Sequence, residues 1–585
     1  MKKPKLLSDY MKSKWVLYVI AVCAIGTANV ILARLPRTIG SFTDELHKGT
    51  LAQADIAPYS LLVAAIALGY GILGGSGQFL IMYLGRLFER LTRGKLFIQF
   101  TRLSLNNYSK YGVGKLLNYL INDVTAVRES ISMGINHITN SSILLISVIV
   151  SMMLSSIPAY AILISLIPLL FIPWFVAWLG PIIRKRSVQV QESLGKMTET
   201  AAEQFSGIRV TKKFAAEAIM TDRFDATVAQ IRDNQLQLVR VSSLLQAVIP
   251  FLGALSMIAS IATAGYLTAN RTISLGDFVT LVLYIGMLIN PLQRVGDVIN
   301  AMQRARASLE RLNDLLGVEP DVPDTGTFKL QDPAHAAIDI RKLSFVYPDG
   351  SSPVLSEIDL TLPPGISVGI IGKTGSGKTT LIKLLLRIYD PPAGTIFADG
   401  LDIRSVTLES LRSSIGYVPQ DGFLFSTSIR ENIGFSNRGA ALEEIERAAL
   451  QAHIHQEVHE LPDGFETRLG ERGLSLSGGQ RQRASLARGL FKQAPIMILD
   501  DSVSAIDTLT EKAIIDSLRA ERQGKTTIIV SHRISALKHA DLIIVMDEGR
   551  IVQRGTHEQL VAAEGVYARL YAIQEEGDAD VESHR

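Results

Sequence analysis

The chain has 585 residues, too many for one ordinary core, and 47% of them are apolar against 20% charged, so a membrane-embedded half joined to a soluble half is the expected organisation. A formal charge of +3 is close to neutral for this length and gives no footing for a nucleic-acid partner. The single cysteine, Cys23, excludes a disulfide framework and a thiolate metal site, and its apolar surroundings fit a small buried side chain.

The lysine-rich residues 1–14 lead into an apolar stretch over 15–35. That stretch is too long for the apolar region of a signal peptide and lacks a clear cleavage site, so it is expected to remain as a first membrane span. Five more apolar stretches follow, at 56–84, 131–154, 159–179, 245–268 and 278–292. Alone or with its flanks, each is long enough for about 30 Å of hydrocarbon. Lys2, Lys3, Lys5, Lys12 and Lys14 precede the first span, whereas the loop 38–55 sets Asp44, Glu45 and Asp55 against Lys48. The third and fourth spans are joined by the uncharged Ser155-Ser156-Ile157-Pro158. The long connections 86–130 and 184–243 carry both charge signs and read as helix. The excess of basic residues on one side places the N-terminus, both long connections and everything after the sixth span in the cytoplasm. Trp174 and Trp178 suit the cytoplasmic interface, and Trp15 suits the start of the first span.

Polar residues interrupt the spans: Asn29 and Arg34 in the first, Gln78 in the second, and Asn136, His137 and Asn140 at the start of the third. Within a bilayer such groups face protein or a water-filled path, so they mark a substrate route or helix-to-helix hydrogen bonds. Pro291 is expected to kink the sixth helix. Residues 1–317 thus form a membrane domain. A linker follows over 318–336, rich in Pro, Asp and Gly. Over 337–574, short Val/Ile-rich runs alternate with helical patterns and glycine turns, as in an α/β domain. The polar, acidic tail 575–585 is expected to be unstructured.

In the α/β domain, Gly372, Lys373, Thr374, Gly375, Ser376, Gly377, Lys378 and Thr379 fit the phosphate-loop pattern, after a strand at 367–371 and before a helix that begins at Thr380. Glycines let successive N–H groups close around phosphate at a helix N-terminus. Lys378 would bridge the β- and γ-phosphates and Thr379 would hold Mg²⁺. Asp500 ends the apolar strand 496–499, where its carboxylate would enter the Mg²⁺ shell. Leu476-Ser477-Gly478-Gly479-Gln480 opens a further helix and forms a second anion site. One triphosphate does not fill two phosphate sites in one domain, so each is expected to serve a different nucleotide across a dimer.

With these motifs in order, the sequence from Ile338 onward resembles an ATP-binding-cassette nucleotide-binding domain, and the whole chain resembles an exporter-type half-transporter. The resemblance implies six transmembrane helices with long cytoplasmic helical extensions, followed by a soluble α/β phosphate-loop domain. It also assigns roles. Tyr347 would stack on adenine, with Thr380 beside the nucleotide. Gln420 would touch Mg²⁺ and the attacking water, and His532 would contact the γ-phosphate. Ser477, Gly478, Gly479 and Gln480 would form the signature motif, and Ser504-Ala505-Ile506-Asp507 the loop that communicates between paired sites. Residues 467–473 are similar to an exporter-specific loop, and 112–124 and 207–217 to two coupling regions, the second docking on the opposite subunit.

One residue departs from the pattern. The family's general base is a glutamate directly after the metal-binding aspartate, and here that position is Asp501. Both acids are ionised at neutral pH, so the difference is reach. The catalytic set is Asp501, His532 and Gln420, and the resemblance implies a hydrolysis-impaired site in a heterodimer, completed by a second half-transporter with a competent glutamate. The expected function is ATP-driven export of amphipathic compounds across the cell membrane by alternating access, with ATP and Mg²⁺. A lipid flippase, a peptide exporter, a siderophore importer or a slow homodimer would use the same fold. A nucleotide-gated regulator would carry an added domain, and none is visible. Six spans exclude a soluble ATPase.

Overall fold

The computed structural model describes residues 5–583 except 294, 334–335, 471–472, 474–475 and 505. Lys2 and Lys3, Glu471 and Arg472 of the exporter-specific loop, and Ala505 therefore lie outside the described residues. The chain divides into two compact units: residues 1–102 with 111–318, and residues 103–110 with 319–585.

Among the described residues, the first unit holds six helical runs long and apolar enough to cross a membrane: Leu6–His47, Gln53–Arg102, Val113–Met153, Ala159–Ser206, Glu217–Ala269 and Leu275–Leu292. Each expected span falls within one of them, except that the third, expected to 154, ends at Met153. The first is broken between Leu6–Leu32 and Leu35–His47, where Pro36 sits at the start of the second piece and needs no N–H partner. Helix thus continues to His47, and the expected loop 38–55 is correspondingly shorter. Cys23 is exposed on this first helix rather than buried, because it lies off the stripe of Ala21, Ile25 and Ala28 that packs inward.

The third run contains two wide turns of π-helix, Tyr119–Asp123 and Ser130–Gly134. They belong to the membrane unit, and Asp123, inside the expected coupling region 112–124, is 5% exposed. Its carboxylate accepts from Arg311 Nε at 2.8 Å and from Ser308 Oγ at 2.9 Å. Glu89 is likewise buried and takes ion pairs from Arg93, Arg86 and Arg128 at 2.7, 3.0 and 3.3 Å. The fourth run passes unbroken through Pro168, Pro173 and Pro181. On it Trp174 and Trp178 stack, exposed, with ring centroids 6.0 Å apart. The short helix Ile208–Lys213 turns the chain from the fourth run into the fifth. Pro291 lies in the last turn of the helix Leu275–Gln293, and the helix Val295–Leu316 follows.

Among the described residues, the second unit has ten strands: β1 (Ile338–Phe345), β2 (Leu355–Leu362), β3 (Ser367–Gly372), β4 (Ile396–Ala398), β5 (Leu401–Asp402), β6 (Ile415–Val418), β7 (Ile496–Asp500), β8 (Thr527–Val530), β9 (Leu542–Asp547) and β10 (Arg550–Gly555). An antiparallel sheet has the order β2-β1-β4-β5, and a six-stranded sheet the order β10-β9-β3-β8-β7-β6. From β9 to β6 the larger sheet is parallel, and β3, β7 and β8 are buried almost throughout. That accounts for their continuous apolar runs. Parallel pairing sends the ends of β3 and β7 to the same edge, with only β8 between them, so the phosphate loop and Asp500 meet there.

Two findings differ from expectation at the borders of this unit. The linker is seated on the domain: the Thr327 and Phe328 N–H groups donate to Ser405 O, and Leu330 is buried. Helix also continues through Val566–Ser583, where an unstructured tail was expected. Its first turn is anchored by Tyr567, fully buried, with its hydroxyl 2.8 Å from His557 Nδ1 and its N–H donating to Gln553 Oε1.

Candidate functional site

At the edge where β3 and β7 end lies a cavity of about 450 Å³. Thr374, Gly375, Ser376, Gly377, Lys378, Thr379, Thr380, Gln420, Asp500, Asp501 and His532 line it, together with Val354 and Val530. The sequence motifs therefore converge on one place. The loop from β3 turns into the helix Lys378–Leu385 through Gly375 and Gly377 at φ +84° and +98°. This left-handed region is open to glycine without strain. A Cβ at Gly377 would stand 2.6 Å from Leu355, so glycine is required there for space as well.

Lys378 folds back over its own loop, and its Nζ donates to Gly372 O at 2.8 Å and to Lys373 O at 2.9 Å. Gly372 and Lys373 are thus backbone anchors and do not line the cavity. Burial pushes the Lys378 ammonium below its ordinary pKa, opposed by the charges of Asp501 and Asp500. Thr379 Oγ1 stands 3.3 Å from Asp500 Oδ1. Burial raises the Asp500 carboxyl, the Thr379 and Tyr417 hydroxyls oppose that rise, and neighbouring Asp501 adds to it. The Tyr417 hydroxyl approaches Asp500 Oδ2 at 3.4 Å. Sequence reasoning missed Tyr417, although it lies three residues before Gln420.

Asp501 sits at φ +48°, with its N–H donating to Val530 O at 2.8 Å, so its backbone is pinned to β8. Gln420 Nε2 donates to Asp501 Oδ2 at 3.2 Å. The other oxygen, Oδ1, is buried without a hydrogen-bond partner, an uncompensated acceptor in a residue that lines a polar cavity. This orphaned oxygen, with Thr379 Oγ1, Asp500 Oδ1 and the Gln420 amide, makes an oxygen-rich donor set that fits a hard divalent cation such as Mg²⁺. The open loop N–H groups and Lys378 beside it fit a polyphosphate.

His532 is exposed at the rim, and its carbonyl accepts from Gln574 Nε2 at 2.8 Å. Its neighbour Arg533 pairs with buried Glu511 and donates to Ile506 O at 3.3 Å, which ties the histidine loop to the 504–507 loop. That link was not read from the sequence, since the pair is separated by 22 positions. Tyr347 does not line the cavity. Its hydroxyl meets Thr380 Oγ1 at 2.9 Å, and its ring packs edge-on against Tyr389 and Phe345.

Ser477, Gly478, Gly479 and Gln480 do not line it either. They open the helix Gly478–Phe491 with a reciprocal cap, in which Gln480 N–H donates to Ser477 Oγ at 3.2 Å and Ser477 N–H donates to Gln480 Oε1 at 2.8 Å. Gly422 ties this helix to the loop of Gln420: a Cβ there would stand 3.1 Å from Arg481 O. Asp507 caps the helix Thr508–Glu521, its Oδ1 accepting from Thr510 N–H at 3.0 Å.

Comparison with known proteins agrees with this construction. Residues 16–292 match the family described as ABC transporter transmembrane region, and residues 355–504 match that described as ABC transporter. The chain is 36% identical over 574 residues to a probable multidrug resistance ABC transporter ATP-binding/permease protein, YheI, of Bacillus subtilis, spanning 98% of this chain and 97% of that one. It is 34% identical over 513 residues to an ATP-dependent lipid A-core flippase of Syntrophus aciditrophicus, spanning 87% and 85%. A bacterial Atm1-family ABC exporter with ATP bound superposes with a TM-score of 0.81 at 27% identity, covering 96% of this chain and 99% of that one.

Proposed function

The chain belongs to the ABC transporter family, with an exporter fold of six membrane helices and a cytoplasmic ATPase domain, and from that premise we propose that it is the weaker-site half of a heterodimeric exporter of amphipathic compounds. Its ATPase domain binds ATP and couples hydrolysis to transport, and the protein works as a dimer or with a partner half. The observation that carries the finer reading is Asp501. A glutamate would extend the carboxylate by about 1.5 Å, and a misplacement of about 1 Å costs on the order of a hundredfold in rate. The backbone of Asp501 is pinned by Val530, so the side chain has little means to make up that reach.

In this reading Lys378 and the loop N–H groups hold the phosphates, Thr379 and Asp500 hold Mg²⁺, and Gln420 orients Asp501. Mg²⁺, when bound, neutralises charge that develops on the transferred phosphoryl group. His532 at the rim faces the γ-phosphate, and Tyr347 stands at the adenine end. Asp501 is too short to place the attacking water well, so ATP stays bound and turns over slowly. The signature residues Ser477 to Gln480 lie away from the chain's own cavity, which supports their use at a second nucleotide. Exposed Phe205, Ile208, Val210, Phe214 and Ile219 cluster at the tip between the fourth and fifth runs, as suits a coupling element that docks on another subunit. The arrangement resembles the weaker-site subunit of the bacterial BmrC/BmrD pair.

The test is capture of the tagged chain from its native membranes and identification of what accompanies it. An equal amount of a second half-transporter, with glutamate after its metal-binding aspartate and an altered signature, is the expected result. Recovery of this chain alone would overturn the heterodimer and leave Asp501 as a slow working base. Lipid flipping on the same fold is the second reading, favoured by the relatives named as flippases.

A further inference from the structure

Four of the polar residues that interrupt the membrane spans, Asn29, Gln78, Asn136 and Asn140, come together with Tyr70 around a cavity of about 130 Å³. Arg34 and His137, the ionisable residues in the same stretches, are not among its lining residues. The walls come from the helices Leu6–Leu32, Ile56–Arg102 and Ile135–Met153. Its volume equals about four water molecules at ~30 Å³ each.

Asn29 is 1% exposed, and its Nδ2 donates to Ile25 O at 2.9 Å. Its Oδ1 is buried and has no partner. In a membrane span an unmet acceptor is costly, because no bulk water is at hand to satisfy it. The glycines beside it serve two different purposes. Gly77 gives close helix contact, since a Cβ there would stand 2.7 Å from Ile25 and 2.9 Å from Ala21 O. A Cβ at Gly71 or Gly75 would meet nothing within 4 Å. Those two glycines line the cavity without packing against a neighbour, so they leave room.

The chemistry of the lining selects a class of occupant. Four carboxamides and one phenol offer hydrogen bonds in both directions, and no lining residue carries a charge. An ionic head group would be left without a counter-charge in a region of low dielectric. The orphaned Asn29 oxygen demands a donor. We infer that this cavity is a subsite for the uncharged, hydrogen-bond-donating end of an amphipathic molecule, an amide or hydroxyl head, with its apolar remainder outside. The passage of that molecule rests on the exporter reading above; its binding does not.

The experiment uses the full transporter in lipid nanodiscs and three ten-carbon probes with the same photoreactive diazirine next to the head group: a secondary amide, a trimethylammonium and a phosphate monoester. After illumination, labelled peptides are mapped by mass spectrometry. The amide probe should label segments 25–29, 70–78 and 136–140, excess unlabelled amide should compete it away, and the two ionic probes should label there about tenfold less. Asn29→Leu, which keeps the size and removes the acceptor, should lower amide labelling about tenfold. Gly75→Leu, which fills the open space and keeps Asn29, should lower it as well and carries the test if the first variant fails to assemble. Equal labelling by all three probes, label spread evenly over lipid-facing helices, or labelling undiminished in both variants would overturn the subsite and leave a pocket for water alone. The exporter reading fails separately, if vesicles show no ATP-driven movement of any cargo while the label map stands.

Discussion

On the proposed reading, Gln420 and Asp501 set where a hydrolytic water stands, and the 3.2 Å contact between them holds a side chain one methylene shorter than glutamate. Asp501→Glu should therefore raise single-turnover hydrolysis at this site by about tenfold to a hundredfold, read by rapid quench with radiolabelled ATP. An unchanged rate would mean that Asp501 already reaches its water. Asp500 yields a pH-dependent outcome. Burial lifts its carboxyl above the ordinary range, so the folded domain holds that proton more tightly than the unfolded chain does. The stability it contributes is full below an unfolded pKa of about 3.9 and is lost as pH rises through the raised folded value. Above that raised value the nucleotide-free domain carries the cost of an ionised, buried carboxylate. Asp500→Asn should accordingly raise the melting temperature without nucleotide, more so as the pH rises, and remove the extra stabilisation given by Mg-ATP. A lower melting temperature without nucleotide would contradict this. The nucleotide-loop residues were legible because glycine, lysine and threonine spacing encodes backbone shape directly. Tyr417 and the Arg533–Glu511 pair were not, because their partners are fixed by the fold and not by local spacing.

Helices and loops carry the next set of consequences. Ser477 begins the helix Gly478–Phe491 with a reciprocal cap, and Ser477→Ala should destabilise that helix by about 1 kcal/mol, seen as faster amide hydrogen exchange in its first turn. Gly422 lies against the backbone of Arg481. Gly422→Ala should push the Gln420 loop off that helix at a cost of about 1–3 kcal/mol, lowering ATP turnover more than ATP binding; an equal fall in both would point to general unfolding. In the membrane unit, Asp123→Ala leaves Arg311 and Ser308 facing a buried gap and should cost about 2 kcal/mol, measured as a lower melting temperature in detergent. Element positions were readable where hydrophobicity was continuous. Their ends were not. The apolar stretch 245–268 lies inside the helix Glu217–Ala269, since hydropathy marks where lipid stops and the helix continues into water. The π turns at Tyr119–Asp123 and Ser130–Gly134 carry no local sequence signal, as they arise where a helix adjusts its register to buried neighbours.

At the scale of the whole molecule, the described residues hold the phosphate-loop cavity and a signature helix that does not line it. The need for a second domain was legible from two phosphate motifs in a single sequence, whereas the grouping of residues 103–110 with the ATPase unit was not. Within that grouping, Ser104 Oγ and Asn107 Nδ2 both donate to Asp321, 217 and 214 positions away. Chelation of divalent cations should stop turnover in the assembled transporter and leave ATP binding detectable, because Lys378 and the loop N–H groups remain; loss of both together would shift the binding role onto the metal. The reciprocal cap at Ser477 has a consequence for life in the cytosol. A bare helix N-terminus collects inorganic phosphate from its surroundings. Here the Ser477 N–H and hydroxyl are already engaged by Gln480, so a freely diffusing anion must displace an internal ligand to bind. If the signature serves a nucleotide held by another domain, as proposed, orthophosphate released by the cycle should compete for this helix end only weakly.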